Sequence, residues 1–483
     1  MTTTIDGCAR PPKDAADDGA KVDAPPPADK PMRVTVIGTG YLGAVHAAGM
    51  AEIGHEVLGV DSQPDRIATL AQGRAPFFEP FLPELLLKTT ASGRLRFTTS
   101  LAEAAAFGEI HFVCVGTLQR PGSHAADLSQ VEAVIDRLGP QLRRDCLVVG
   151  KSTVPVGTSA RLAARLAHIV PRGIRAELAW NPEFLREGFA VADTLNPDRI
   201  VVGVSSALAQ EALRRLYAPI LATGTPFIVT DPATAELVKV SANAFLATKI
   251  SFINAIAEIC EVTGADVVTI ADAIGYDNRI GRRFLNAGLG FGGGCLPKDI
   301  RAFMARAREL GVGRALEFLR DIDEINMRCR RRVVELARQM AGGRFWGTRV
   351  AVLGAAFKPN SDDVRDSPAL AVAAAIQQQG AQVRVHDPHA LDNARAAVPA
   401  LDYSVEPAKA CEDADLVLHL TEWSEYRELD PAALARVVRQ ARLLDARTSL
   451  DVQRWRRAGW TVWAPGRGGR VPATPDPAAR RGE

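Results

Sequence analysis

The chain has 483 residues, 47% of them hydrophobic and 24% charged, with 58 Lys plus Arg against 56 Asp plus Glu. A formal charge of +2 over that length excludes the strongly basic class that binds nucleic acid or an acidic membrane surface. No apolar run reaches the ~18 residues of a membrane helix, so neither nucleic acid nor membrane is expected as a partner.

The length predicts two or three domains. The seven cysteines form no C-x-x-C and the eight histidines show no ligand spacing. That pattern predicts a reducing, cytoplasmic setting and no metal site. Residues 1–31 are rich in Asp, Ala and Pro and read as a disordered tail. The Pro/Gly/Arg-rich stretch 465–483 reads the same way.

Residues 32–229 read as a dinucleotide-binding α/β domain. The apolar strand Met32–Ile37 runs into Gly38-Thr39-Gly40-Tyr41-Leu42-Gly43, a helix follows to Ile53, and the strand Val57–Val60 ends at Asp61. Strand, G-x-G-x-x-G, helix, strand and acidic residue in register are the fingerprint of a Rossmann unit. Asp61 would accept from the ribose hydroxyls and repel a 2′-phosphate, which predicts NAD as cofactor. Arg66 is a candidate cover for the adenine or a phosphate. Later strands end at Thr117 and Thr153, where ligands collect in such sheets. In Asn181-Pro182-Glu183-Phe184-Leu185-Arg186-Glu187-Gly188, a cap and a first-turn proline predict a short helix with Glu183 and Glu187 on one face.

Residues 230–330 read as a central helical domain. Asp231-Pro232 starts a helix that no Gly or Pro interrupts until Gly264. Apolar residues nearly all round it predict burial, and its length suits a dimer spine. Lys239 and Asn243 share one face, where a Lys suggests an anion or oxyanion partner. Further helices are expected over Asp266–Ile274 and around Arg301–Met327. The loop holding Arg279 and Phe284-Leu285-Asn286-Ala287-Gly288 leads into Gly290-Phe291-Gly292-Gly293-Gly294-Cys295-Leu296-Pro297-Lys298-Asp299. There the glycines permit close backbone approach to a ligand. A cysteine at a helix start beside Lys298 predicts a reactive thiolate, and Asp299 could orient a proton or a water. Residues 345–464 read as a second α/β half without G-x-G-x-x-G, in which Lys358, Arg365 and Arg447 are candidate phosphate ligands.

Taken together, these motifs resemble the UDP-glucose/GDP-mannose dehydrogenase family, most closely its UDP-glucose branch. The likeness covers residues 32–447. It rests on the glycine turn, Lys151–Gly157, Asn181–Gly188, Ala235–Ala247, the Cys295 stretch and Phe357–Arg365. The resemblance implies two Rossmann-like domains joined by a long helix and a small helical domain. It implies oxidation of a UDP-glucose 6-hydroxyl to the carboxylate with two NAD, by a homodimer or higher oligomer. Cys295 would carry a thiohemiacetal and then a thioester, and Glu183 would be the base for hydrolysis. Thr153 and Asp299 would hold the water, and Lys239 with Asn243 would steady the oxygen at carbon 6. It places the sugar and UDP on Glu183–Glu187, Phe284–Gly288, Gly292, Lys358 and Arg447. Arg279 would reach a neighbouring subunit's substrate, and Glu187, Lys298 and Arg365 would join the cofactor contacts. Leu118, where the family usually has proline, and Thr448, where asparagine is commoner, depart from the pattern. GDP-mannose or a UDP-N-acetylhexosamine as substrate, and a non-catalytic nucleotide-sugar binder, are the alternatives.

Overall fold

The computed structural model describes residues 30–467. Both expected tails therefore fall largely outside the described residues. The second is shortened at its start, because Gly466 donates its amide to Glu261 and Arg467 bridges Asp266.

The first sheet has eight strands: β1 (Arg33–Ile37), β2 (Glu56–Val60), β3 (Leu95–Thr98), β4 (Ile110–Val113), β5 (Cys146–Gly150), β6 (Ala176–Trp180), β7 (Ile200–Gly203) and β8 (Phe227–Thr230). Their spatial order is β3-β2-β1-β4-β5-β6-β7-β8. All neighbours are parallel except β6 and β7, which meet at Trp180 and Gly203. Strands such as Ile110–Val113 and Ile200–Gly203 are buried along their whole length, as a sheet covered by helices on both faces requires. The order reverses between β1 and β4, which is where an open α/β sheet binds its ligand.

A second parallel sheet orders β11 (Asp402–Ser404), β10 (Gln382–His386), β9 (Arg349–Leu353), β12 (Leu416–His419), β13 (Arg442–Asp445) and β14 (Thr461–Trp463) side by side. The fold is thus two Rossmann-like domains, with the expected long helix between them.

That central helix spans Pro232–Thr263, 32 residues. The Asp231 carboxylate accepts from the Thr234 amide, and Gly264 closes the helix in the left-handed region at φ 79. Its faces differ from expectation. The inward face carries Glu236, Lys239, Asn243, Ser251 and Asn254 among small apolar residues. Leu237, Phe245, Phe252, Ile259 and Val262 are exposed. The polar side chains find partners inside the chain, whereas the apolar stripe is left uncovered by the described residues. A second helix, Phe318–Met340, packs beside the central one and carries the chain to the second sheet. The helical region expected around Arg301–Met327 holds two helices: Leu296–Glu309 ends before Gly311, at φ 78, and Phe318–Met340 starts anew.

Candidate active site

The glycine turn sorts by geometry. A Cβ on Gly38 would lie 2.9 Å from the Cys114 carbonyl carbon, and one on Gly43 only 1.7 Å from the Gly38 carbonyl oxygen. Over Gly40 the space is open within 4 Å, and the helix Tyr41–Glu52, which includes Leu42, begins there without a side-chain cap. An open approach onto uncapped N–H groups is what a pyrophosphate needs. Asp61 stands at the end of β2. Burial opposes its charge, but the Thr39 and Gln63 amides and the Arg66 guanidinium hold it below the usual carboxylate range. Arg66 donates to Asp61 at 2.9 Å, so here it braces the acidic residue. These residues fit NAD.

Beyond β4 and β5 the strand-end residues Thr117 and Thr153 line one recess together with Lys298 and Asp299. The central helix fixes its floor. Asn243 donates to Asp299 at 2.7 Å, and Lys298 reaches the other oxygen of Asp299 at 2.5 Å. Lys239, one turn before Asn243, puts its ammonium 2.9 Å from Glu183. Burial opposes the Lys239 charge, but Glu183, Cys295 and Asp299 outweigh it, and its pKa is raised. The second oxygen of Glu183 is buried without a hydrogen-bond partner. A buried acceptor with a free lone pair asks for a donor that the described residues do not supply.

Cys295 precedes the helix Leu296–Glu309; its surface is exposed although its sulfur is closely surrounded by protein. The surroundings of the sulfur work against the thiolate expected from the helix start. Burial, followed by the Asp299 and Glu183 carboxylates, pushes the thiol up to about 12 against the pull of Lys298 and Lys239. Both lysines already face carboxylates, so little positive charge is left for the sulfur.

The glycines of the loop before Cys295 are also explained differently. A Cβ on Gly290 would meet Asn326 at 2.3 Å, on Gly292 the Asp366 carbonyl at 2.3 Å, on Gly293 the Phe357 ring at 2.7 Å, and on Gly294 the Arg365 guanidinium at 2.4 Å. What approaches this backbone is other protein, largely the second α/β domain. Asn326 pairs with both the N–H and the C=O of Phe291 and holds the loop from below.

The segment 181–188 is not helical before its turn at 187–189. Asn181 does not cap. Its side chain is buried, accepting from Lys151 at 3.0 Å and Tyr217 at 2.6 Å and donating to the Val201 carbonyl at 2.7 Å. These bonds pin the strand end and leave Glu183 free to turn toward Lys239. Phe184 lies between the Arg199 guanidinium, 3.9 Å away, and the Lys239 ammonium, 5.5 Å away. Leu185 packs on the first-domain core, and Arg186 pairs with Asp193. Glu187 faces the other domain: Ser361 and Arg365 donate to its carboxylate at 3.1 and 3.3 Å, and Lys358 to its carbonyl at 2.6 Å. Burial, then repulsion by Asp363, raises the Glu187 pKa to about 7.

Arg447 donates to the carbonyls of Leu420, Gly290 and Phe357, bolting the thiol loop to the second domain. The loop 284–288 is tied by Gly288 to Asn254 and by Thr448 to the Ala287 carbonyl. Phe284 stands at φ 66, Leu285 is buried and Asn286 is exposed, held by Arg282. Arg279 lies apart from this cluster, 88% exposed and paired with Asp277. Sequence reasoning missed Glu236, which accepts from the Gly157 and Ser159 amides and anchors the loop after Thr153. It also missed Asp362; the only signal was an acidic pair beside Lys358 in Asn360-Ser361-Asp362-Asp363.

Three successive patterns of one family cover this architecture: the UDP-glucose/GDP-mannose dehydrogenase family NAD binding domain over residues 32–221, its central domain over 233–328 and its UDP binding domain over 351–452. The chain belongs to the UDP-glucose/GDP-mannose dehydrogenase family. It is accordingly an NAD-dependent dehydrogenase. It is 42% identical over 419 residues to a UDP-glucose 6-dehydrogenase of Rhizobium meliloti, spanning 86% of this chain and 95% of that one. It is 40% identical over 450 residues to one of Pseudomonas aeruginosa, spanning 90% and 98%. Among solved structures, a UDP-glucose dehydrogenase from Pyrobaculum islandicum superposes with a TM-score of 0.82 at 39% identity, covering 90% of this chain and 99% of that one. A UDP-D-ManNAc dehydrogenase from Pyrococcus horikoshii gives 0.79 at 26% identity, covering 90% and 100%. Among the described residues of this family member, no helix is long and apolar enough to cross a membrane.

Proposed function

We propose that the protein oxidises UDP-glucose to UDP-glucuronate through covalent capture on Cys295. The observation that carries this reading is the cluster in which Lys239 pairs with Glu183, Asn243 donates to Asp299, and Lys239, Glu183 and Asp299 all act on the Cys295 thiol. NAD bound at that turn supplies the hydride acceptor. The 6-hydroxyl loses a hydride and a proton to become an aldehyde. The Cys295 sulfur adds to the aldehyde carbon, giving a thiohemiacetal, and loss of a second hydride and proton leaves a thioester. Water cleaves the carbon–sulfur bond, returning the thiol and releasing the carboxylate. In total two NAD and one water are consumed, and two NADH and three protons are released.

Each residue has a part set by its charge. The Lys239 ammonium and the Asn243 amide stabilise negative charge developing on the oxygen at carbon 6. Glu183, with one oxygen on Lys239 and one unpartnered, takes the proton of the attacking water. Thr153 and Asp299 hold that water, and Thr117, Lys298, Glu187 and Arg365 frame the cofactor side. Lys358 and Arg447 carry the positive charge for the UDP phosphates, with Phe184–Glu187, Phe284–Gly288 and Gly292 shaping the sugar site. A homodimer forms on the exposed stripe of the central helix and brings Arg279 toward the neighbouring site. A Cys295→Ser protein is expected to bind UDP-glucose with unchanged affinity and to lose net acid formation. Acid formation at the normal rate would overturn the covalent scheme.

A further inference from the structure

One carboxylate joins the second α/β domain to the cofactor turn of the first. Asp362, 8% exposed, accepts from the Tyr41 hydroxyl at 2.6 Å with one oxygen. With the other it accepts from the Phe78 amide at 2.9 Å. Tyr41 is the residue inside Gly38-Thr39-Gly40-Tyr41-Leu42-Gly43 that opens the helix over which the pyrophosphate would lie. Phe78 comes from a separate loop of the same domain, and its ring stacks on His389 of the second domain at 3.7 Å, with an interplanar angle of 12°. Asn393 in turn holds the Asp362 carbonyl at 2.8 Å.

The loop bearing Asp362 is hydrogen-bonded within itself. Asp363 accepts from the Arg365 amide and guanidinium, and its carbonyl accepts from the Phe357 amide. The Arg365 guanidinium lies 5.4 Å from the Tyr41 ring centroid, and the Arg365 carbonyl accepts from the Gly293 amide. The same short loop therefore grips the cofactor turn at Tyr41 and the thiol loop at Gly293. Lys358, at its near end, is a candidate UDP phosphate ligand.

From this geometry we infer that Asp362 is a positioning residue that couples the UDP site to the NAD site through the Tyr41 hydroxyl. Occupation of the second domain fixes the 357–365 loop. The loop then holds the glycine turn in the shape that accepts the dinucleotide. By reciprocity NADH tightens UDP by the same factor. This inference rests on the proposed nucleotide-sugar function.

The test is NADH fluorescence titration of the full chain with and without saturating UDP. The intact protein is expected to bind NADH about tenfold tighter with UDP, within the range usual for coupled sites. In Tyr41→Phe, which keeps the ring, and in Asp362→Ala the ratio is expected to fall to about one, while the UDP affinity measured without NADH is unchanged. The double variant is expected to show the same ratio of about one as either single variant, because each already removes the Tyr41–Asp362 bond. A ratio of one in the intact protein, or a retained ratio in Tyr41→Phe, overturns the coupling. Failure of UDP to bind the intact protein at all would instead overturn the nucleotide-sugar reading.

Discussion

Lys239 and Glu183 face one another at 2.9 Å with only 7% and 12% of their side chains exposed. Removing one partner from such a buried pair leaves a charge without compensation, at a cost of about 3–5 kcal/mol. Lys239→Met should therefore lower the urea midpoint and reduce kcat on the order of 10²–10³-fold. Lys239→Met with Glu183→Gln should regain most of the stability and none of the activity. Denaturation and steady-state assays on the two proteins separate the structural part of the pair from the chemical part.

The Cys295 thiol, pushed up to about 12, should be protonated in the free protein at neutral pH. Alkylation by iodoacetamide should be slow at pH 7 and rise about tenfold per unit to pH 10 without a plateau, because the thiolate is the nucleophile. Asp299→Asn removes the stronger of the two repelling charges and should speed alkylation at pH 8. A plateau near pH 8 in the unsubstituted protein would show that the lysines win over the carboxylates.

Glu187 gives a pH signature of stability. Its folded pKa is about 7 against an ordinary 4.5, so between those values the folded chain holds a proton that the unfolded chain has lost. Stability must then fall as pH rises through that window, on the order of 3 kcal/mol in all. Glu187→Gln cannot titrate and should flatten the fall between pH 5 and 8 measured by chemical denaturation. An unchanged slope would mean that Arg365 and Ser361 already hold the carboxylate ionised.

The exposed stripe of the central helix predicts association. Phe245 is 66% and Phe252 49% exposed on a helix whose other face is packed, and an unpartnered apolar stripe is a contact surface. Phe245→Lys with Phe252→Lys should convert the protein to monomers in sedimentation equilibrium, with little change in the fold by circular dichroism. Unaltered mass would place the interface elsewhere.

The legible parts of the sequence were those whose cause is local. Asp231, Pro232 and Gly264 marked both ends of a 32-residue helix because a cap, a fixed φ and a left-handed stop act within one turn. The glycine turn was legible for the same reason. Asn181 misled, since its amide serves Lys151, Tyr217 and Val201, residues brought together only by the sheet. Lys239 and Asn243 were legible as a polar pair on one face of the central helix, but their partners, 56 positions away in sequence, were not legible as such from the helix alone. Asp362, 321 positions from Tyr41, left almost no local signal.

The most direct test of the account is the number of NADH formed per UDP-glucose consumed, followed to completion. Capture on Cys295 predicts two, with UDP-glucuronate as the only sugar product. One NADH per sugar with free aldehyde accumulating would contradict it.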